Sequence, residues 1–320
     1  MVWLFEGESV PKLYWEILNT IMTKGKTIEP RGLTTLELSP VIMVSHNPRK
    51  RLFGHPNRKE VSIFTYIEGL WILLKEASVD RLAHYVPAMI NFTHENTKFL
   101  DGAYGPAIGN QLEECFQRLY KDSASRQAIV IINQPHLHHL PTKDYPCTLS
   151  YQFLIRDNKL DMIVYMRSQD AWLGLVCDTG EFQWFQEIIA GWLGIDVGTY
   201  YHIDGSLHLY KRDWEKASLL IEKDKDWNLY KNATILDARM GKENFNNILN
   251  TLDLWETSCR TGSAGSVASI GRPNGFYTNL EQIIMAYNFR LLGYKKEAYN
   301  IVKKNRTDLG IIYEERWRNK

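Results

Sequence analysis

Two stretches in the middle of the chain decide the fold: residues 144–155, DYPCTLSYQFLI, and residues 160–170, LDMIVYMRSQD. Within them, residues 149–155 and 160–166 are rich in β-branched, aromatic and aliphatic residues and predict interior strands. Asp157-Asn158 between them is a turn signal, so the two strands are expected to form an antiparallel hairpin. Such a hairpin brings Cys147, at the start of the first strand, close to Arg167, at the end of the second. The sequence therefore predicts a thiol beside a guanidinium at one end of a sheet.

The flanking sequence predicts an α+β fold around this hairpin. The motifs run from Arg31 to Tyr210 without a linker-like break, so we assign residues 1–235 to one catalytic domain. Residues 236–320, with a Gly/Ser-rich stretch at 261–275 and two helix-like segments after it, predict a mainly helical C-terminal extension. This extension is either part of the same domain or a lid. Further strands are expected at 33–45, 128–133 and 199–203, and helices at 9–24, 61–76 and 181–193.

Composition excludes several classes of protein. Of the 320 residues, 44% are hydrophobic and 23% charged, which suits a globular protein with a large core. The net charge of +1 gives no general reason to bind nucleic acid. Four cysteines without a signal-like N-terminus do not indicate a disulfide framework, and no stretch is long and apolar enough to span a membrane. We therefore expect a cytoplasmic protein with no membrane contact.

Two further segments suggest a metal site and a basic binding patch, neither of which we favour. Residues 136–140, HLHHL, lack a Cys or carboxylate partner, so we expect solvated histidines and no metal site. Residues 47–59, NPRKRLFGHPNRK, are basic, but without a second patch we expect a solvated loop.

Taken alone, Cys147 is more often a small buried hydrophobe than a nucleophile. The sequence motifs around Cys147 favour the nucleophile instead. The patterns PC-x4-QF, YMRS-x-D-x3-G and GSLH-x-Y, together with IEGLW (67–71), AYG (103–105) and Arg126, closely resemble the thymidylate synthase family. This family includes the cytidylate hydroxymethylases. The resemblance implies a large twisted mixed sheet with flanking helices, and two subunits packed sheet against sheet as a homodimer.

The resemblance also implies the chemistry. The substrate is a pyrimidine nucleoside monophosphate, and the one-carbon donor is the co-substrate 5,10-methylenetetrahydrofolate. Cys147 is the implied nucleophile: its thiolate adds to C6 of the ring and makes C5 reactive. Glu68 is expected to organise water and proton transfer, and Tyr104 to assist removal of the C5 proton.

Other matched positions imply binding roles. The 5′-phosphate is assigned to Arg31, Arg167 and Ser168, and to Arg126 donated across the dimer interface. The family usually carries two consecutive arginines where this chain has Arg126-Gln127, which puts one phosphate contact in doubt. The sugar hydroxyl is assigned to His208 and Tyr210, and the expected folate contacts are Asp170, Trp71 and Gly174.

Asp178, in WLGLVCD, is the position that bears on the base. Thymidylate synthases carry Asn there, which suits uracil, whereas a carboxylate can accept from the amino group of cytosine. Asp178 therefore favours a cytosine nucleotide, CMP or dCMP. The alternative is that Asp178 caps a helix that begins near Glu181.

The predicted activity is a cytidylate 5-hydroxymethyltransferase, in which water rather than hydride completes the reaction. Asp144 stands where synthases usually carry an apolar side chain, and we expect it either to orient that water or to be a solvent-facing loop residue. Thymidylate synthase acting on dUMP is the nearest alternative. A non-catalytic nucleotide- or RNA-binding homologue is the alternative of another class.

Overall fold

The structure is a computed structural model that describes residues 2–55, 58, 62–93, 97–223, 227–263 and 275–318. Most of the predicted Gly/Ser-rich stretch, residues 264–274, lies outside the described residues, as do the last two residues of the basic C-terminus.

The described residues form ten strands: β1 (Trp3–Gly7), β2 (Lys26–Ile28), β3 (Thr35–Leu38), β4 (Val41–Ser45), β5 (Ile129–Ile131), β6 (Thr148–Arg156), β7 (Lys159–Met166), β8 (Gln169–Asp170), β9 (Asp196–Asp204) and β10 (Leu207–Tyr210). They also form eleven α-helices: α1 (Val10–Lys24), α2 (Phe64–Leu73), α3 (Asp80–Tyr85), α4 (Tyr104–Ile108), α5 (Gln111–Lys121), α6 (Gly174–Leu193), α7 (Trp214–Lys223), α8 (Lys242–Arg260), α9 (Gly275–Leu291), α10 (Lys295–Val302) and α11 (Asp308–Trp317).

The strands build two sheets. The larger has six strands in the order β1-β4-β9-β7-β6-β5 and is mixed, since β4 and β9 are antiparallel while β7 and β9 are parallel. The smaller has four strands in the order β2-β3-β10-β8. The α+β fold with a mixed sheet and flanking helices is therefore confirmed.

The β6–β7 hairpin forms as predicted. Asp157 and Asn158 both have positive φ, 47° and 56°, as a tight two-residue hairpin turn requires. Asp and Asn tolerate this left-handed conformation better than other non-glycine residues. The turn fixes which residues lie opposite one another at the far end of the hairpin.

Helix α6 lies between the large sheet and α2, and nearly all of its first four turns are buried. On β7, Met162 and Val164 point towards this helix and are fully buried. The hydrophobic core that results also includes side chains from α8, α9 and α11.

Three predictions about elements need correction. Residues 33–45 form two strands of different sheets, β3 and β4, with a cis Ser39–Pro40 peptide bond between them. The helix expected at 181–193 begins seven residues earlier, at Gly174. Residues 275–318 form three helices rather than two.

The C-terminal extension is anchored to the catalytic part through Arg81 on α3. Its guanidinium pairs with Glu256 and Asp253 on α8, and Glu256 also accepts from the Tyr85 hydroxyl at 3.1 Å. The Glu256 side chain is fully buried, so these partners offset the cost of burying its charge. These contacts fix α8 in place; a lid role for the extension stays a prediction.

Candidate active site

Cys147 and Arg167 face each other at the open end of the β6–β7 hairpin. Thr148 pairs with Met166 in the ladder, and the Arg167 amide donates to the Cys147 carbonyl oxygen at 2.9 Å. The Arg167 Nη2 lies 3.6 Å from the Cys147 sulfur. The predicted proximity of thiol and guanidinium is confirmed.

The loop before β6 holds the Arg167 guanidinium. Nε donates to the Pro146 carbonyl oxygen and Nη2 to that of Tyr145, each at 2.9 Å, and the group stacks over the Tyr145 ring at 4.9 Å. Arg167 is nevertheless exposed to solvent. An oriented and accessible set of N–H donors suits a phosphate.

The ionisation of Cys147 departs from the simplest expectation. Burial raises the pKa of the thiol, Arg167 lowers it, and nearby carboxylates, first of all Asp178, raise it further. The net shift is upward, so the guanidinium does not by itself produce a standing thiolate. The proton must therefore leave the sulfur as it attacks, which requires an acceptor in the site.

Carboxyl groups surround the thiol. Glu68 on α2 is partly buried, and burial together with the charges of Asp178 and Asp144 raises its pKa to about 8. Burial raises the pKa of Asp178 to about 6, although a hydrogen bond from Gln169 opposes the shift. Glu68 is thus a proton donor near neutral pH, and Asp178 can exchange a proton close to that range.

Asp178 is not a helix cap, because α6 begins four residues before it. Its carboxylate Oδ2 instead accepts from the Gln169 side-chain amide at 2.9 Å. Gln169 lies on β8 and is 1% exposed. The sequence reasoning missed Gln169, although its place between Ser168 and Asp170 was a signal that could have found it.

Tyr104 begins α4, and its hydroxyl accepts from the Thr148 amide at 3.2 Å, next to Cys147. Burial, and then the charges of Cys147 and Asp178, raise the pKa of this phenol well above its usual range. Tyr104 therefore stays neutral, and it can pass a proton between partners but cannot act as a phenolate base.

The residues assigned to the sugar lie on β10. His208 and Tyr210 point to the same side, with ring centroids 4.9 Å apart, and His208 Nδ1 is 3.4 Å from the Ser168 hydroxyl. Burial lowers the pKa of His208, so its ring is neutral near pH 7 and can both donate and accept. The structure thus brings Ser168, His208 and Tyr210 together.

The other two predicted phosphate arginines lie on other segments of the chain. Arg31 occupies an exposed turn between β2 and β3 with a positive φ of 55°, at the end of the sheet where Thr35 pairs with Tyr210. Arg126 is exposed just before β5, and its carbonyl oxygen accepts from the Gln152 side chain. At about 3.3 Å per residue along β6, Arg126 lies about 20 Å from its own Cys147.

Asp170 accepts hydrogen bonds from the backbone. Its Oδ1 accepts from the Trp172 and Leu173 amides at 2.7 and 3.2 Å, and Oδ2 lies 3.7 Å from Arg212. Trp71, an expected folate contact, is only 3% exposed, and its indole N–H donates to the Ser78 carbonyl oxygen. Its role as a folate contact stays a prediction.

A side chain at Gly174 would crowd the Gln169–Asp178 pair. A Cβ there would lie 3.2 Å from Gln169 and 3.4 Å from Asp178, so its absence leaves room for their hydrogen bond.

The basic segment is not a solvated loop, contrary to the sequence prediction. Arg51, His55 and Arg58 are at most 3% exposed. Arg51 pairs with the fully buried Glu187 of α6 at 2.5 Å, and Arg49 pairs with the same carboxylate at 2.6 Å. These two guanidinium groups neutralise the buried carboxylate of Glu187.

The described residues contain no group of three or more His, Cys, Asp or Glu side chains arranged to hold a metal ion. None of the helices among those same residues is long and apolar enough to cross a membrane.

The shifted pKa of Glu68 predicts a pH-dependent stability. Between about pH 4.5 and pH 8 the folded protein retains a proton on Glu68 that the unfolded chain has released, so raising the pH through this window destabilises the fold. Glu68→Gln removes the titration. We expect the Tm of Glu68→Gln relative to the parent protein to rise by several degrees from pH 5 to pH 8.

Thermal unfolding at both pH values measures this difference. Glu114→Gln, on the exposed side of α5, is the matched control and should follow the parent protein. Parallel curves for Glu68→Gln and the control would contradict the assignment.

The curated relatives that match the chain include three bacteriophage proteins, each named deoxyuridylate hydroxymethyltransferase. The protein of Bacillus phage SP01 is 32% identical over 231 residues, 67% of this chain and 60% of the relative. That of Pseudomonas phage M6 is 26% identical over 191 residues, 57% and 54%. That of Delftia phage PhiW-14 is 28% identical over 180 residues, 52% and 50%. The chain thus spans between half and three-fifths of the length of these relatives.

A family model described as thymidylate synthase matches residues 12–256. The match begins in α1 and ends near the end of α8, so it includes the hairpin with Cys147, the helix with Asp178 and every strand of the two sheets except β1. It thus covers more than half of the chain and every element that shapes the site, and the chain belongs to the thymidylate synthase family.

Proposed function

We propose that this protein transfers a one-carbon unit from 5,10-methylenetetrahydrofolate to C5 of a pyrimidine nucleoside monophosphate and leaves it as a hydroxymethyl group. The observation that carries the proposal is the Cys147 sulfur 3.6 Å from Arg167, ringed by carboxyl groups. The names of the phage relatives, which are all hydroxymethyltransferases, support the product.

The chain's own residues account for the first steps. Arg167 and Ser168 bind the phosphate, and His208 and Tyr210 hold the sugar, which places C6 of the ring over Cys147. As the sulfur adds to C6, negative charge develops on the ring and is stabilised by the groups around Asp178. Tyr104 passes on the proton that leaves C5. Asp170 contacts the pterin ring of the folate.

For the base, we propose cytosine, so that the substrate is CMP or dCMP. The Gln169 side-chain amide donates to Oδ2 of Asp178, which leaves the other carboxylate oxygen to contact the pyrimidine ring. Cytosine offers an amino group that donates to a carboxylate and an N3 that can take up a proton. Addition of the thiolate pushes charge onto N3, and a proton shared between N3 and Asp178 neutralises that charge.

Deoxyuridylate is the second candidate, because the three phage relatives are named for it. A protonated Asp178 has one donor and one acceptor, which can also match O4 and N3–H of uracil. Uracil, however, has no ring nitrogen that can accept the proton of Asp178 while charge builds up. This difference favours cytosine for a carboxyl group at this position.

Product analysis separates these possibilities. The enzyme is incubated with 5,10-methylenetetrahydrofolate and CMP, dCMP or dUMP, and the nucleotide product is identified by mass spectrometry. We expect a 5-hydroxymethylcytosine nucleotide. Product from dUMP alone would overturn the base assignment, and no product from any nucleotide would favour a non-catalytic nucleotide-binding protein.

We further propose that the active unit is a homodimer. The face of the large sheet opposite α6 carries apolar and aromatic side chains that are exposed or only partly buried. They are Ile42, Ile129, Ile131, Ile163, Tyr165, Tyr201 and Ile203. A second copy packed on this face would bury them. It would also let Arg126, about 20 Å from its own thiol, reach the phosphate of the partner's site.

This arrangement predicts complementation between two inactive variants. Arg126→Ala lacks the donated guanidinium and Cys147→Ala lacks the nucleophile, so each homodimer should be nearly inactive. In a mixed dimer one site combines an intact Cys147 with an intact Arg126. The purified mixed dimer should therefore recover about half of the parent activity, since one of its two sites is complete.

The experiment co-expresses the two variants under different affinity tags and assays the doubly purified protein. Mixed dimers without activity would contradict the donation of Arg126 across the interface, whereas a monomeric protein would contradict the dimer itself.

A further inference from the structure

Asp144 is a half-buried carboxylate in the loop before β6, three residues before Cys147. Its Oδ2 accepts from the Gly102 amide at 2.8 Å, and its own amide donates to the Thr142 hydroxyl at 3.0 Å. One carboxylate oxygen is therefore fixed by the backbone of a neighbouring turn, and the other is left for a further partner.

The fit between this loop and Gly102 is tight. A Cβ at Gly102 would lie 2.3 Å from the Asp144 carbonyl oxygen and 3.0 Å from Pro146. Only glycine allows the two segments to come this close. The position of the Asp144 carboxylate is thus set by two chain segments rather than by a free loop.

Asp144 lies on the loop that leads into Cys147, beside a cavity. It is three residues before Cys147, and its charge raises the pKa of Cys147 and of Glu68. A cavity of about 610 Å³ adjoins the same turn and is lined in part by Asp101, Gly102 and Pro146. Gly102, whose amide binds the Asp144 carboxylate, is thus part of the cavity wall.

We propose that Asp144 is the general base that activates the water which completes hydroxymethylation. This inference rests on the proposed function. At this stage the transferred carbon is a methylene group attached to C5 by a double bond outside the ring. The water oxygen forms a bond to this methylene carbon, and the water proton passes to the Asp144 carboxylate. The electron pair of the methylene double bond moves into the ring, the C6–S bond breaks, and Cys147 leaves as a thiolate. No oxidant or reductant is consumed.

The other carboxyl groups suit this step less well. Glu68, with a pKa raised to about 8, holds its proton near neutral pH and cannot accept one from water. Asp178 is hydrogen-bonded to Gln169 and is assigned to the base. Asp144 is the remaining carboxylate that acts on both Cys147 and Glu68.

The test is Asp144→Asn, which keeps an oxygen to accept from Gly102 but removes the base. General bases contribute about 10²- to 10⁴-fold, so we expect hydroxymethyl product to fall at least about 100-fold. Release of tritium from C5 in the first turnover should persist, because it precedes the attack of water. Asp157→Asn, in the β6–β7 turn, makes the same chemical change away from the site and should retain parent activity.

An added small thiol gives a positive readout. Thiols attack as thiolates without help from a base, so Asp144→Asn should convert the trapped methylene into a thioether product at the expense of hydroxymethyl product. Undiminished hydroxymethyl formation in Asp144→Asn would overturn the role of Asp144 while leaving the proposed function intact. Absence of tritium release from the parent enzyme would instead refute the proposed function.

Discussion

Cys147→Ala is expected to lower turnover by about 10⁴-fold or more, because removing a covalent nucleophile removes the route by which C5 becomes reactive. The binding groups stay in place, since Arg167 is held by the carbonyl oxygens of Tyr145 and Pro146 rather than by the sulfur. Nucleotide affinity should therefore change little. Turnover and nucleotide binding are measured on the same preparation.

The controls for this variant are the buried cysteines away from the hairpin. Cys115→Ala and Cys259→Ala lose packing in α5 and α8, so their Tm should fall while turnover at 25 °C persists. Substantial turnover by Cys147→Ala would exclude covalent catalysis by this residue.

Asp178→Asn is expected to change the preferred base. The amide of Asn accepts from N3–H and donates to O4 of uracil, whereas cytosine presents the reverse pattern. Mispaired buried polar groups can cost about 10⁴-fold in rate. We therefore expect the ratio of kcat/KM for the cytosine nucleotide to that for dUMP to fall by at least about 10³-fold.

Asp122→Asn, in an exposed turn after α5, makes the same exchange away from the site and should leave the ratio as it is. The measurement is kcat/KM for CMP, dCMP and dUMP in both variants. If Asp178→Asn kept the preference of the parent enzyme, the carboxylate would have no part in selecting the base.

Local signals in the sequence predicted the central part of the site well. The Asp157-Asn158 turn and the alternating strands determine the hairpin register, and the register determines that Cys147 meets Arg167. This pair could be predicted because all of its determinants lie within about 25 residues.

Features that depend on distant partners could not be predicted in the same way. The basic segment looked solvated because Glu187, which neutralises Arg49 and Arg51, is more than 130 residues away in the chain. Helix α6 was predicted to begin late because Leu173 stands at its cap position, where no side chain makes a capping hydrogen bond.

Tertiary context also decides the acidity of the thiol. The sequence places a guanidinium beside Cys147 but does not show the burial and the surrounding carboxylates that raise its pKa. These carboxylates come from α6, β8 and the loop before β6, which the fold brings together. The consequence, a thiol that loses its proton only during attack, follows from the fold.

The most direct test of the account is covalent trapping. The enzyme is incubated with 5,10-methylenetetrahydrofolate and a 5-fluoropyrimidine nucleotide, whose C5 fluorine cannot leave as a cation, and its mass is measured under denaturing conditions. The account predicts a mass increase equal to nucleotide plus folate on the peptide that contains Cys147. No covalent mass on an enzyme that turns over normal substrate, or an adduct on Cys115, Cys177 or Cys259 instead, would contradict it.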